Sequence, residues 1–186
     1  MLQLPPIPSW ESIHPLIVHF PIVLLLLSPL FILISMILTP PKGQPYMTAA
    51  LIILLLGTAG LFLATETGKA GALIAERGGE VDAVLAAHQR LASETEIVFS
   101  VLAVILLGMV LIPRILRRPE TRLASTFIPL AFLVLYTVGV LFLVNTADAG
   151  ARLVHEFGIH AVMPAQNAAP PPASGATGTA MGVRVK

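Results

Sequence analysis

Histidine is the side chain whose chemistry depends most on its surroundings near neutral pH, and this chain has five of them. Two open the first apolar stretch, in Ile13-His14-Pro15-Leu16-Ile17-Val18-His19-Phe20-Pro21. Pro15 suits the first helical position, where its missing N–H costs nothing. Pro21 removes the backbone bond to Ile17 and is expected to bend the helix there. His14 then belongs at a membrane interface. His19 lies about 7 Å deeper at helical rise, where an imidazole is costly unless it faces protein, a partner or a cofactor. The plain alternative is a neutral ring bonded to a neighbouring helix or to the freed Ile17 carbonyl.

His88 lies within 82–96, where Val84, Leu85, His88, Leu91, Ala92 and Thr95 recur at helical spacing. That face is expected to rest on the fourth helix and carry His88 inward. His155 shares a helical stripe with Asp148 and Arg152. With straight helices, His88 and His155 would stand about 13 Å above the membrane boundary. Equal height suits a shared ligand site, or is coincidence. The run His155-Glu156-Phe157-Gly158-Ile159-His160 fails as a zinc-protease motif, which needs two His four apart on one helical face. Here they are five apart, about 140° round a helix, and Gly158 interrupts. Asp148 and Glu156 could still serve as oxygen ligands or as partners of a ligating imidazole.

There is no cysteine, which excludes disulfides, thiolate metal sites, covalently attached c-type haem and cysteine-held iron–sulfur clusters. No Ser or Cys nucleophile motif, phosphate-binding glycine loop or pair of buried carboxylates is present, so no catalytic activity of its own is expected. Net charge is +1 and no basic stripe carries interleaved aromatics, which argues against nucleic acid.

The elements that must position these histidines are membrane helices. Of the 186 residues, 56% are hydrophobic and 11% charged, where soluble domains carry about 25% charged residues. Mean hydropathy is +0.89. A bilayer core needs roughly 20 apolar residues, and four stretches qualify, at about 15–38, 47–64, 97–112 and 124–146. Helical extensions are expected at about 82–96 and 147–157. The opening residues have no Lys or Arg before the apolar run and no cleavage site after it, so they read as a retained helix rather than a signal peptide.

Charge gives the orientation. The two short loops carry Lys42, Arg114, Arg117, Arg118 and Arg122 with one acid, Glu120. The long connection mixes Lys69, Arg77 and Arg90 with six acids. The positive-inside rule then sets the short loops in the cytoplasm and both termini outside a bacterial inner membrane. Residues 1–162 form the four-helix domain. The Pro-, Ala- and Gly-rich tail 163–186 has the composition of a disordered segment or of one held by a partner.

Two patterns bear on architecture. Ala70-Gly71-Ala72-Leu73-Ile74-Ala75-Glu76-Arg77-Gly78 is similar to Ala149-Gly150-Ala151-Arg152-Leu153-Val154-His155-Glu156-Phe157-Gly158 with one residue inserted. The expectation is an all-α, polytopic four-helix bundle whose helices one and two relate to three and four as a duplicated hairpin, chance likeness of small-residue runs being the alternative. Gly57, Gly60 and Ala64 supply small residues for close helix contact.

With these motifs in place the chain resembles a family of uncharacterised bacterial four-helix membrane proteins. That family opens with His-Pro-x-x-Val-His-Phe-Pro, matched here by His14-Pro15-Leu16-Ile17-Val18-His19-Phe20-Pro21. A Gly-containing end to helix two, His88 before helix three and the closing Gly150…Leu153-Val154…Gly158 extend the likeness over about residues 13–162. Relatives sometimes fused to c-type cytochrome domains imply a redox setting. The family commonly closes on Leu-Val-Tyr-x-His-Gly. Here His155 stands at the Tyr position and Phe157 at the His position, which puts in doubt any family ligand there.

The leading expectation is a membrane redox subunit binding b-type haem near the outer face through His19, His88 and His155, with His14 following. Partners would be the lipid bilayer and other membrane or periplasmic subunits. The rivals are a cofactor-free structural or assembly subunit and a copper or zinc protein using His and carboxylate. A transporter fits least, because no paired broken helices or mid-membrane charges are present.

Overall fold

The computed structural model describes residues 9–10, 12–38, 41–75, 78–117 and 121–159. The expected tail and His160 lie outside the described residues. Five helices follow one another: α1 (His14–Ile17), α2 (His19–Ile37), α3 (Gln44–Ile74), α4 (Glu80–Ile115) and α5 (Arg122–His155). Among the described residues there is no strand. Four spans are long and apolar enough to cross a membrane: His14–Ile37, Gln44–Ile74, Glu80–Ile115 and Ala124–His155.

α1 and α2 make a single span that runs on through Val18, whose backbone is helical and whose N–H bonds to the His14 carbonyl at 3.1 Å, although Pro21 leaves the Ile17 carbonyl without its helical partner. The other three helices are longer than a bilayer needs. The 31 residues of α3 reach about 46 Å at 1.5 Å per residue, against a core of about 30 Å. α4 runs unbroken from Glu80, so the segment around His88 is the first part of the third span's own helix. Gly158 ends α5 in the left-handed region, φ +66°. The Ile159 N–H bonds back to the Leu153 carbonyl at 3.0 Å, the closure expected after such a glycine.

The helices pack in a ring, each against its two sequence neighbours, with α2 closing onto α5. Inside lie Leu25, Ile32, Leu54, Phe99, Leu102, Leu106, Phe132 and Tyr136. Phe99 and Phe132 both meet Tyr136 edge-on, with ring centroids 5.5 and 5.8 Å apart. Outside lie Leu26, Leu30, Leu55, Leu63, Val104, Val134 and Leu141, all exposed as lipid-facing side chains should be.

Polar groups inside the bundle are satisfied across helices, as a medium without water demands. Pro29 has no N–H, which frees the Leu25 carbonyl four residues earlier. The Tyr136 hydroxyl donates to that carbonyl at 2.7 Å. Ser28, fully buried, donates to the Ala50 carbonyl at 3.1 Å. A proline and a tyrosine on different helices thus form one interaction.

Candidate functional site

Glycines decide where the imidazoles sit. On α3, Gly57, Gly60, Thr67 and Gly68 join Ala64 on the face turned to the first span. A Cβ on Gly57 would stand 2.8 Å from Leu25, and one on Gly60 would stand 3.2 Å from Pro21. Three turns above Gly57, the His14 ring rests on Gly68, where a Cβ would lie 2.9 Å from Cε1, 3.3 Å from Nδ1 and 3.5 Å from Nε2. The second hairpin repeats this. Gly139 receives Leu102 at 2.8 Å and Phe99 at 3.2 Å. Eleven residues on, Gly150 receives His88, with a Cβ 3.1 Å from Cε1, 3.4 Å from Nδ1 and 3.8 Å from Nε2. Both rings present the same edge to a glycine.

Each ring is held through Nδ1. His88 Nδ1 lies 3.0 Å from the Thr146 carbonyl oxygen. A carbonyl only accepts, so Nδ1 carries the proton and a neutral ring keeps its lone pair on Nε2. His14 Nδ1 lies 3.1 Å from Thr67 Oγ1. The single Thr67 hydroxyl proton is directed at the Leu63 and Ala64 carbonyls, 2.9 and 3.0 Å away. Its oxygen therefore accepts from His14 Nδ1–H, and Nε2 again keeps the lone pair. Among the described residues neither Nε2 has a hydrogen-bond partner. Both rings are half-buried.

The remaining histidines stand apart. His19 is exposed on the outside of the span, its Nδ1 bonded to the Pro15 carbonyl of the preceding turn at 2.7 Å. His155 is exposed at the end of α5, one turn beyond the Arg152 that pairs with Glu156 at 3.1 Å. The structure gives His14 and His88 the same setting, each on a glycine with Nδ1 bonded, and His19 and His155 do not share it. Depth in the membrane singled out His19, but the His14 and His19 rings are five residues apart, about 140° round a helix, so that with His14 on α3 the His19 ring faces outward.

Three supporting residues escaped the reading of the sequence: Thr67, Gly68 and Thr146. Thr146 does more than accept from His88. Its hydroxyl meets that of buried Thr95 at 2.7 Å and the Phe142 carbonyl at 2.8 Å, tying α4 to α5 just below the ring. The signal for Gly68 was the eleven-residue spacing Gly57/Gly68 and Gly139/Gly150, three helical turns in each case; Thr67 and Thr146, one and four residues before their glycines, carry no such signal. The spacing corrects the expected correspondence between the hairpins: Gly68, and not Gly71, occupies the place of Gly150.

Among the described residues no three of His, Asp and Glu stand close enough to hold a metal ion together. What the site offers is two imidazole nitrogens, each with its opposite ring nitrogen fixed by an oxygen. A ligating histidine is oriented in the same way.

No curated protein and no solved structure matches the chain. The family described as "Predicted membrane protein (DUF2231)" matches residues 11–163, which take in all four spans and both histidine–glycine contacts, and the chain belongs to that family.

Proposed function

We propose that this chain is an integral membrane redox subunit in which His14 and His88 would hold b-type haem near the histidine end of the bundle. The observation that carries the proposal is the repeated ring geometry: two half-buried imidazoles, each fixed through Nδ1 with Nε2 unpartnered. Such a pair suits haem iron, whose other four ligands come from the porphyrin, better than zinc, which asks the protein for three or four. Bound haem would supply a one-electron Fe(III)/Fe(II) couple. The chain's own part is to fix each ring's tautomer and direction, through Thr67 and Gly68 on one side and Thr146 and Gly150 on the other.

Protein purified from its native membrane should show a reducible Soret band. His14→Ala and His88→Ala should each abolish most of it, while His19→Ala and His155→Ala keep it. Colourless native protein would instead favour a cofactor-free structural or assembly subunit.

The proposal extends to placement. The Lys/Arg bias of the short loops supports a bacterial inner-membrane protein with both termini and the histidine end outside. Electron donor and acceptor would then be neighbouring membrane or periplasmic subunits. Reporters fused after Lys42 should behave as cytoplasmic, and a periplasmic readout there would overturn this orientation.

A further inference from the structure

The opposite end of the bundle differs in how its charges are balanced. At the histidine end Lys69 pairs with Glu66 at 2.6 Å, Arg90 with Glu94 at 3.1 Å and Arg152 with Glu156 at 3.1 Å. At the other end Lys42, Arg114 and Arg117 are exposed and, among the described residues, make no ion pair. Glu120, the only acid of those two loops, lies outside the described residues. Arg114 has one polar partner among the described residues, Thr48 Oγ1 at 2.7 Å. Thr48 spends its proton on the Gln44 carbonyl at 2.9 Å and so offers Arg114 a neutral lone pair. The guanidinium charge is not neutralised, and most of its five N–H groups remain to be satisfied.

Arg114 also borders an open groove of about 480 Å³ between the start of α3 and the end of α4. Pro45, Ala49 and Ile52 form its apolar side. That side leads down the span to the exposed Leu55 and Leu56. Tyr46 is exposed at the same level, where an aromatic ring marks the headgroup region. A cation at the mouth, an apolar wall running toward the hydrocarbon and an interfacial tyrosine match the two halves of a lipid.

We propose that this groove binds an anionic phospholipid, its phosphate on the Arg114 guanidinium and an acyl chain along Ala49 and Ile52. Basic pockets between transmembrane helices bind acidic headgroups for the same reason, and a guanidinium holds a phosphate through two parallel N–H bonds. The site is independent of the haem reading, since it lies at the opposite end and uses none of the histidines.

The test uses the full chain in nanodiscs made of equal parts phosphatidylglycerol and phosphatidylcholine, released into native mass spectrometry. Wild type should retain phosphatidylglycerol in preference to phosphatidylcholine. Arg114→Gln should lower that preference about fivefold, the effect of one interfacial cation. Lys69→Gln, at the paired end, should leave it unchanged. Retention of both lipids in their bulk ratio by wild type would overturn the proposal. So would an Arg114→Gln variant that keeps the wild-type ratio, or displacement of the lipid by millimolar inorganic phosphate.

Discussion

The two hairpins carry out one packing scheme with different materials. In the second, α4 is continuous, and His88 reaches the Thr146 main-chain carbonyl across the helix pair. In the first, His14 reaches a side-chain hydroxyl, Thr67, beside the Ala64 carbonyl, which stands four residues before Gly68 as Thr146 stands before Gly150. A ring held by main chain keeps its acceptor whatever residue stands there, whereas the His14 ring loses one of its two partners with a substitution at Thr67 and keeps the Ala64 carbonyl. The fit over the glycines differs in the same sense, with His14 Cε1 0.2 Å closer to its glycine's Cβ position, 2.9 against 3.1 Å. The first hairpin is therefore the tighter of the two at its glycine.

The largest expected effects come from the glycines. Gly68→Ala places a methyl within 3.0 Å of His14 and must push the ring off Thr67, whereas Gly150→Ala asks His88 for a few tenths of an ångström. Overpacking of this kind costs about 1–3 kcal/mol. Unfolding in mixed micelles should show Gly68→Ala nearer the upper end and Gly150→Ala nearer the lower. Equal losses would remove the asymmetry between the hairpins.

A middle-sized effect joins the hairpins across the bundle centre. Tyr136→Phe strands the Leu25 carbonyl that Pro29 leaves free, and should destabilise by about 1 kcal/mol, the scale of interhelical hydrogen bonds in membranes. In a Pro29→Ala background the alanine brings its own N–H, so the same Tyr136→Phe change should cost clearly less. An unchanged cost in both backgrounds would mean that Tyr136 acts by packing alone.

The smallest effect separates the two acceptors. Thr67→Val removes the hydroxyl oxygen from His14 Nδ1, leaving the Ala64 carbonyl, and should cost about 0.5–1.5 kcal/mol. Thr146→Val keeps the His88 acceptor and loses only the link to Thr95, so its cost should be smaller. The reverse order would show the hydroxyl link between α4 and α5 to matter more than the ring contact.

Much of this was legible in the residues. Four runs of about twenty apolar residues can only be spans, and the spacing of Leu85, His88 and Leu91 put His88 on the face that meets α5. Depth alone, however, cannot say which way a ring faces, and five residues of helix turn His14 and His19 about 140° apart. The pairing of Tyr136 with Leu25 needed the ring order of the helices, which hydropathy does not encode. Thr67 and Thr146 look like ordinary helix residues until a histidine from another span is set beside them.

The claim that two equivalent rings offer Nε2 to one ligand is tested most directly by 15N NMR of histidine-labelled protein in lipid, before and after adding haemin. The tautomers follow from the acceptors already described. Signals lost in His14→Ala and in His88→Ala should both report a neutral ring protonated at Nδ1, and haemin should shift both together while the His19 and His155 signals stay in place. An Nε2–H tautomer at either ring, or haemin that moves only one of the pair, would contradict the account.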